Sequence, residues 1–307
     1  MLREAKNNVV IEGILSETDI KIGSFLKNKG TAQEYSVNSI SGTIKVKVNQ
    51  TIDGKETPLE IPIHIFAAEK TNKGNPNPAY QSVMDLKDNF KSIAACGSED
   101  EADRIRITGA RINMNEYWMD ENTLISYPRI TASFFRKVKK EEFVEKATFE
   151  VEFVVGSKEY ELDAEGVETG RYKIKGIVPK YGESVDIIPF YAVNNKAIEV
   201  MSQYWNEGDT VSAVGKLLFS SKTEIIKQEV DFGEPIEKTR TINVSDLILT
   251  GGSQTPLEGD FAYEKSAIDE ALVQRKTKLE ALKANAMSKR QAAPQTAMKS
   301  GFSDLGF

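Results

Sequence analysis

At 307 residues, 40% hydrophobic and 28% charged, the chain has the composition of a soluble globular protein with room for about two domains and further segments. A lone Cys96 excludes an internal disulfide, and with a lone His64 it leaves too few soft ligands for a structural zinc site, so we expect neither metal nor cofactor. Met1 to Val10 carries charges of both signs and no apolar h-region, and no apolar run nears the length that spans a bilayer; the expectation is a cytoplasmic protein with no membrane partner.

The net charge of −6 is unevenly spread. Residues 1 to 140 hold 20 Lys and Arg against 18 Asp and Glu, residues 141 to 252 hold 12 against 21, and residues 253 to 307 hold 8 against 7. Ten of the middle acids fall within residues 141 to 168, so whole-chain charge misleads about partners and local distribution decides.

In chain order, VVIEGIL (Val9 to Leu15), EYSVNSI, TIKVKVN and LEIPIHIF read as strands. KTNKGNPNPAY (Lys70 to Tyr80) reads as an exposed loop, and SVMDLKDNFKSI (Ser82 to Ile93) as a helix. DRIRITGARI (Asp103 to Ile112), a polar hairpin and RITASFF (Arg129 to Phe135) follow as strands. The order then recurs: TFEVEFVV, KEYEL, RYKIKGIV and VDIIPFY, the helical KAIEVMSQYW (Lys196 to Trp205), DTVSAVGKLL (Asp209 to Leu218) and the return strand TINVSDLIL (Thr241 to Leu249). Asp103 precedes Gly109 by the same six residues that separate Asp209 from Gly215.

Taking each strand-rich start as three strands, the order of three strands, a short helix and two more strands, written twice, is the element sequence of a five-stranded partly open Greek-key barrel, the OB-fold. The fold class is therefore mostly β: two tandem OB-fold domains, residues 1 to 140 and 141 to 252, each with a short helix, then a C-terminal segment, 253 to 307. In that segment Ile268, Leu272, Leu279, Leu282 and Ala286 recur at helical spacing, predicting a helix over about 261 to 290 with a Ser266/Asp269 capping box. Residues 291 to 301 read as a flexible linker before the terminal FSDLGF.

Period two supplies the candidate site. In LEIPIHIF, Ile61, Ile63 and Ile65 share the core face, which turns His64 and Phe66 outward; an outward ring on such a strand wants a partner, and a nucleobase is one. The same alternation turns out Lys45 and Lys47, Arg104 and Arg106, and Arg129 with Phe135, with Arg111 and Arg136 nearby. Cations interleaved with aromatics suit a phosphate backbone and stacked bases, although each Lys taken singly reads as a solvated face. Tyr117 and Trp118 fall at the polar tip of the hairpin. In the second copy Arg171, Lys173 and Lys175 share a face, and Phe190 and Tyr191 compete for the place of Phe66. Alternation from an outward Asp186 favours Phe190, whereas matching Phe66-Ala67 to Tyr191-Ala192 favours Tyr191, which we carry. Glu150 and Glu152 form an acidic outward face that should point away from phosphate.

No enzymatic signature emerges. Gly215-Lys216 is followed by Leu217 where a P-loop needs Ser or Thr, His64 has no identifiable nucleophile partner, and no carboxylates are spaced as a pair, so no catalytic residue is assigned.

KAIEVMSQYWNEGDTVSAVGKL, and more loosely DLKDNFKSI with DRIRITGARI, resembles the single-stranded DNA-binding (SSB) proteins of bacteria and their viruses, which carry an (acid or Ser)-x-Val-x-x-x-Gly-x-Leu strand after a short helix. NEYWMDEN resembles that family's hairpin with a stacking tryptophan, which would fall on Trp118, and Phe66 falls where the family keeps a stacking phenylalanine. The resemblance covers residues 1 to 252 and implies an OB-fold, single-stranded DNA as ligand and no catalysis. The family also ends in a mobile tail with a terminal Phe that recruits replication and repair proteins; Asp304, Leu305 and Phe307 would hold that place. The resemblance thus leads us to expect a protein that coats and protects single-stranded DNA in replication or recombination, with monomer and dimer both open. The tandem form suits a virus of bacteria and the host cytoplasm. An RNA-binding protein, or an assembly module using the exposed aromatics and the C-terminal helix, are the alternatives.

Overall fold

The protein is described here by a computed structural model over residues 2–228 and 236–292. Five strands close the first barrel: β1 (Asn7–Lys27), β2 (Tyr35–Ile52), β3 (Lys55–Ala68), β4 (Arg104–Trp118) and β5 (Leu124–Thr131). Their order around the wall is β1-β2-β3-β5-β4 and back to β1, with every pairing antiparallel except β3 with β5. Helices α1 (Pro78–Asn89) and α2 (Ile93–Cys96) bridge β3 to β4, and a short β6 (Phe135–Lys137) pairs with the start of β4.

The second barrel repeats the plan with β7 (Lys146–Leu162), β8 (Glu168–Lys180), β9 (Ser184–Ala192), β10 (Thr210–Gln228) and β11 (Ile236–Gly252), again with one parallel pairing, β9 with β11. Helix α3 (Asn195–Gln203) lies between β9 and β10. This is the OB-fold, twice, as the element order anticipates. α4 (Lys265–Ala292) follows.

Some boundaries differ from the sequence reading. EYSVNSI and TIKVKVN form one long strand, β2, because the β1–β2 ladder runs in unbroken register through Ser41 and Gly42, and TFEVEFVV and KEYEL form one strand, β7, because a register shift between Val155 and Lys158 absorbs the irregularity without ending it. Pro78 to Tyr80, read as loop, belong to α1: the Asn77 side chain caps that helix by accepting from Ala79 N, and Pro78 opens it. α4 starts at Lys265, so Ser266 lies inside its first turn rather than ahead of it.

The phrase written twice is one joint built twice. The carboxylates of Asp103 and Asp209 accept from Lys91 N and Asn206 N, tying down the connector that follows each helix. Their backbone carbonyls accept from Leu15 N and Val155 N, pinning each connector to the first strand of its barrel. The glycines do different work. Gly109 takes φ +73° at a bulge in β4, whereas a Cβ on Gly215 would stand 2.3 Å from the Phe149 ring.

The cores differ in kind. The first is aliphatic, with Ile44, Val46, Ile61, Ile63, Ile105 and Ile130 buried. The second centres on Phe153, Phe190 and Trp205, with Phe153 stacked on Phe190 at 4.8 Å and edge-on to Trp205 at 5.9 Å. Asn7 to Glu12 of β1 pair antiparallel with Lys146 to Val151 of β7, which joins both barrels in one continuous sheet. Glu150 and Glu152, the acidic face, lie on that seam under Lys6 (2.5 Å) and Arg3 (2.7 Å).

Candidate nucleic-acid interface

The register of β3, β5 and β4 defines one outward face. Ile63 opposes Ile130, which opposes Ile112, and all three are buried. Their alternates must face out: His64 and Phe66 on β3, Tyr127, Arg129 and Thr131 on β5, and Arg111, Asn113, Asn115 and Tyr117 on β4. Arg129 Nη1 donates to Asn115 Oδ1 at 3.1 Å, and Asn113 Nδ2 to Thr131 Oγ1 at 2.8 Å, so polar bonds hold this face in register.

An open groove of about 440 Å³ crosses it, lined among others by His64, Phe66, Arg111, Arg129 and Phe134. Phe66 is 61% exposed, with the ring of Phe25, from the long β1–β2 hairpin, leaning on it at 5.8 Å. Tyr117 and Tyr127 are 48% and 40% exposed. Arg129 Nε is enclosed yet has no hydrogen-bond acceptor among the described residues. Burial, then the charge of Arg129, lowers the pKa of His64 from its ordinary 6.5, so the imidazole is neutral at pH 7 and the arginines supply the groove's positive charge.

Other outward cations stand elsewhere. Lys45 is held by Glu17 at 2.7 Å with Glu60 at 3.9 Å, and the hydrogen bond it donates to Glu17 raises its pKa. Lys47 is bound to Glu99 and Arg111 to Glu4, although Arg111 still lines the groove. β4 changes partners after its bulge, so Arg104 and Arg106 lie on the wall shared with β1. There Arg104 sits 5.6 Å from the Phe143 ring centroid and Arg106 chelates the buried Glu12. Arg136, on β6 opposite Arg106, is exposed with no salt-bridge partner among the described residues.

Several sequence expectations are corrected. Phe135 is buried, and Phe134 is the exposed ring, because Ala132 to Phe134 leave the ladder and reset the alternation before β6. Asp186 is buried and accepts from Met114 N and Lys180 Nζ, both at 3.0 Å; Phe190 accordingly points into the core. Tyr191 takes the outward place. Arg171 caps its ring at 4.1 Å and is itself held by Asp246 and Glu161; burial, then those two acids, raises the phenol's pKa. The second barrel's counterpart of Phe66 is thus covered and flanked by carboxylates, with Lys173 half-exposed and Lys175 exposed on the neighbouring strand.

Trp118 is not a free ring at the hairpin tip. It has the inward parity of Ile112, opposite to Tyr117, and α4 lies over it: its Nε1 donates to the Leu279 carbonyl at 3.0 Å, and Lys283 Nζ sits 4.7 Å from the ring centroid. Sequence reasoning passed over Tyr127. Its signal was present in Tyr127-Pro128-Arg129, where parity with Arg129 puts the ring on the outward face. Asp304, Leu305 and Phe307 lie outside the described residues, as does the linker before them.

Fold and face together define a tandem OB-fold protein with an open aromatic and cationic groove on its first barrel. A family model described as YorF matches residues 6–285, and the chain belongs to that family. No curated protein matches it. Among solved structures it is similar to the wild-type single-stranded DNA binding protein from Thermus aquaticus, at 10% identity over 86% of this chain and 99% of that one, TM-score 0.49. It is also similar to a deletion mutant of that same Thermus aquaticus protein, at 10% identity over 83% and 97%, TM-score 0.48.

Proposed function

We propose that the chain binds single-stranded DNA along the outward face of β3, β5 and β4, with bases stacked on Phe66, Tyr127 and Tyr117 and phosphates drawn to Arg129 and Arg111. The observation that carries this reading is the exposed Phe66 ring beside Arg129, whose enclosed Nε lacks an acceptor among the described residues. Every base has a π-face and every nucleotide a phosphate, so such a groove takes unpaired strands without regard to sequence. A duplex hides its base faces in the stack. In this reading residues 1 to 140 form the binding domain and 141 to 252 a second domain that positions it. The activity is binding alone, suited to covering strands opened in replication or recombination. Lys45 and Lys47, whose exposed ion pairs are cheap to exchange, and Arg104 are secondary phosphate contacts outside the groove.

Phe66→Ala should weaken binding to an oligo-dT strand by about 1 to 3 kcal/mol, read by fluorescence anisotropy at fixed salt. Unchanged affinity, or equal affinity of the unaltered protein for duplex, overturns the proposal.

A further inference from the structure

Charge on α4 is sharply polarised. Residues 264 to 274 hold three acids and one lysine, whereas residues 275 to 290 hold six Lys and Arg and a single Glu280. A helix macrodipole favours cations only within the last turn or so, and Lys276 and Lys278 stand more than three turns before Ala292, so the dipole does not account for them. On the barrel walls Lys45, Lys47, Arg106, Arg111 and Arg171 are each answered by a carboxylate; on this half-helix only Arg275 is, by Glu116, among the described residues. Lys276, Lys278, Lys283 and Arg290 have no salt-bridge partner among the described residues, and Lys276 and Lys278 are exposed.

The placement of this half-helix matters as much as its charge. It lies across the tip of the β4–β5 hairpin: Arg275 binds Glu116, the Leu279 carbonyl accepts from Trp118, Lys283 covers the indole, and Arg290 Nη2 donates to the Trp118 carbonyl at 3.4 Å. The neighbouring residue on the hairpin's other face is Tyr117, the end of the aromatic stripe that starts at Phe66. α4 thus lies against the opposite face of the hairpin tip, which a strand leaving Tyr117 reaches by passing over that tip.

We propose that the distal half of α4, residues 275 to 290, is a second segment of the binding surface, taking the phosphodiester backbone of the single strand as it passes over the hairpin tip. This rests on the reading of the Phe66 groove as a single-strand site. At 1.5 Å per residue the segment adds about 24 Å of cationic track. Leu282 is its one large exposed apolar side chain among the described residues, so it lacks the broad apolar face with which a basic helix enters a lipid surface, and a polyanionic strand is the fitting partner.

The test is Lys276→Gln with Lys278→Gln in the full chain; the two positions flank the contact stripe on opposite sides at 100° per residue, and Gln keeps helix propensity. Two oligo-dT probes are used: one of roughly 8 nucleotides, within the span of a single OB-fold, and one several times longer. The double variant should lose roughly tenfold affinity for the long probe at low salt, with its salt slope shallower by about 1.4, and bind the short probe as before. Equal losses or no loss on both probes would overturn the α4 track while leaving the groove intact. Loss of anionic vesicle binding with no effect on the long strand would also sink it. If the unaltered protein binds neither probe, the groove reading itself has failed.

Discussion

Glu12 shows how one residue ties charge to stability. Its carboxylate is fully buried on β1, accepting from Arg106 Nε and Nη2 and from Val144 N at 2.9 Å. Desolvation pushes its pKa up, but the bonds from Arg106 and Val144 and the charges of Arg106 and Lys146 outweigh it, and the pKa falls below the ordinary 4.5. A folded pKa below the unfolded one stabilises the fold above about pH 4.5, and that contribution disappears as pH drops through the folded value. Glu12→Gln leaves Arg106 without its counter-charge and should cost about 3 kcal/mol at neutral pH, the low end for a broken buried pair because Arg106 still reaches water. In urea melts over a pH series, the deficit should shrink as pH falls below the carboxylate range; a constant deficit would refute the charge argument. The same scale marks the limit of pattern reading. Phe66 was legible because β3 alternates without interruption, whereas Phe134 and Phe135 exchanged faces because three residues step out of the ladder.

Among the elements, α4 was visible in the sequence as a helix, but its contacts were not. Its first half is anchored by Ile268 and Ala271, both buried, while its second half touches the hairpin chiefly through Trp118 and the Arg275–Glu116 pair. Trp118→Ala removes the indole donor and the ring under Lys283. We expect amide exchange protection over residues 279 to 290 to fall while that over 265 to 272 persists, and affinity for a short DNA strand to change far less than with Phe66→Ala. A loss of short-strand binding equal to that of Phe66→Ala would return Trp118 to the stacking role that the family resemblance implies.

At the scale of the molecule, one segment of β1 serves both barrels: Val9 to Glu12 pair with β4 on one side and with β7 on the other. Behind that seam the buried Gln50 side chain donates to the carbonyls of Ala147 (3.3 Å) and Leu217 (2.9 Å) and accepts from Ala147 N (3.1 Å). Unzipping one barrel would expose sheet edge and core of the other. The protein should therefore melt in one transition, with calorimetric and van't Hoff enthalpies in agreement. Gln50→Ala should lower stability by about 1 to 3 kcal/mol because it strands buried backbone groups. Two resolved transitions in the unaltered protein would contradict a shared core.

By itself the sequence determined what depends on local repetition: the two barrels, the helices between their third and fourth strands, the outward Phe66 and the C-terminal helix. Each follows from a period of 2 or 3.6 sustained over one element, or from a phrase used twice at the same joint. Only the tertiary structure decided which outward groups are open. Glu4, Glu17 and Glu99 neutralise cations that look free on their own strands, Arg171 closes over Tyr191, and α4 returns from more than 150 residues away to lie on Trp118. Those partners are distant in the chain, and no periodicity within one strand carries information about what another segment will lay against it.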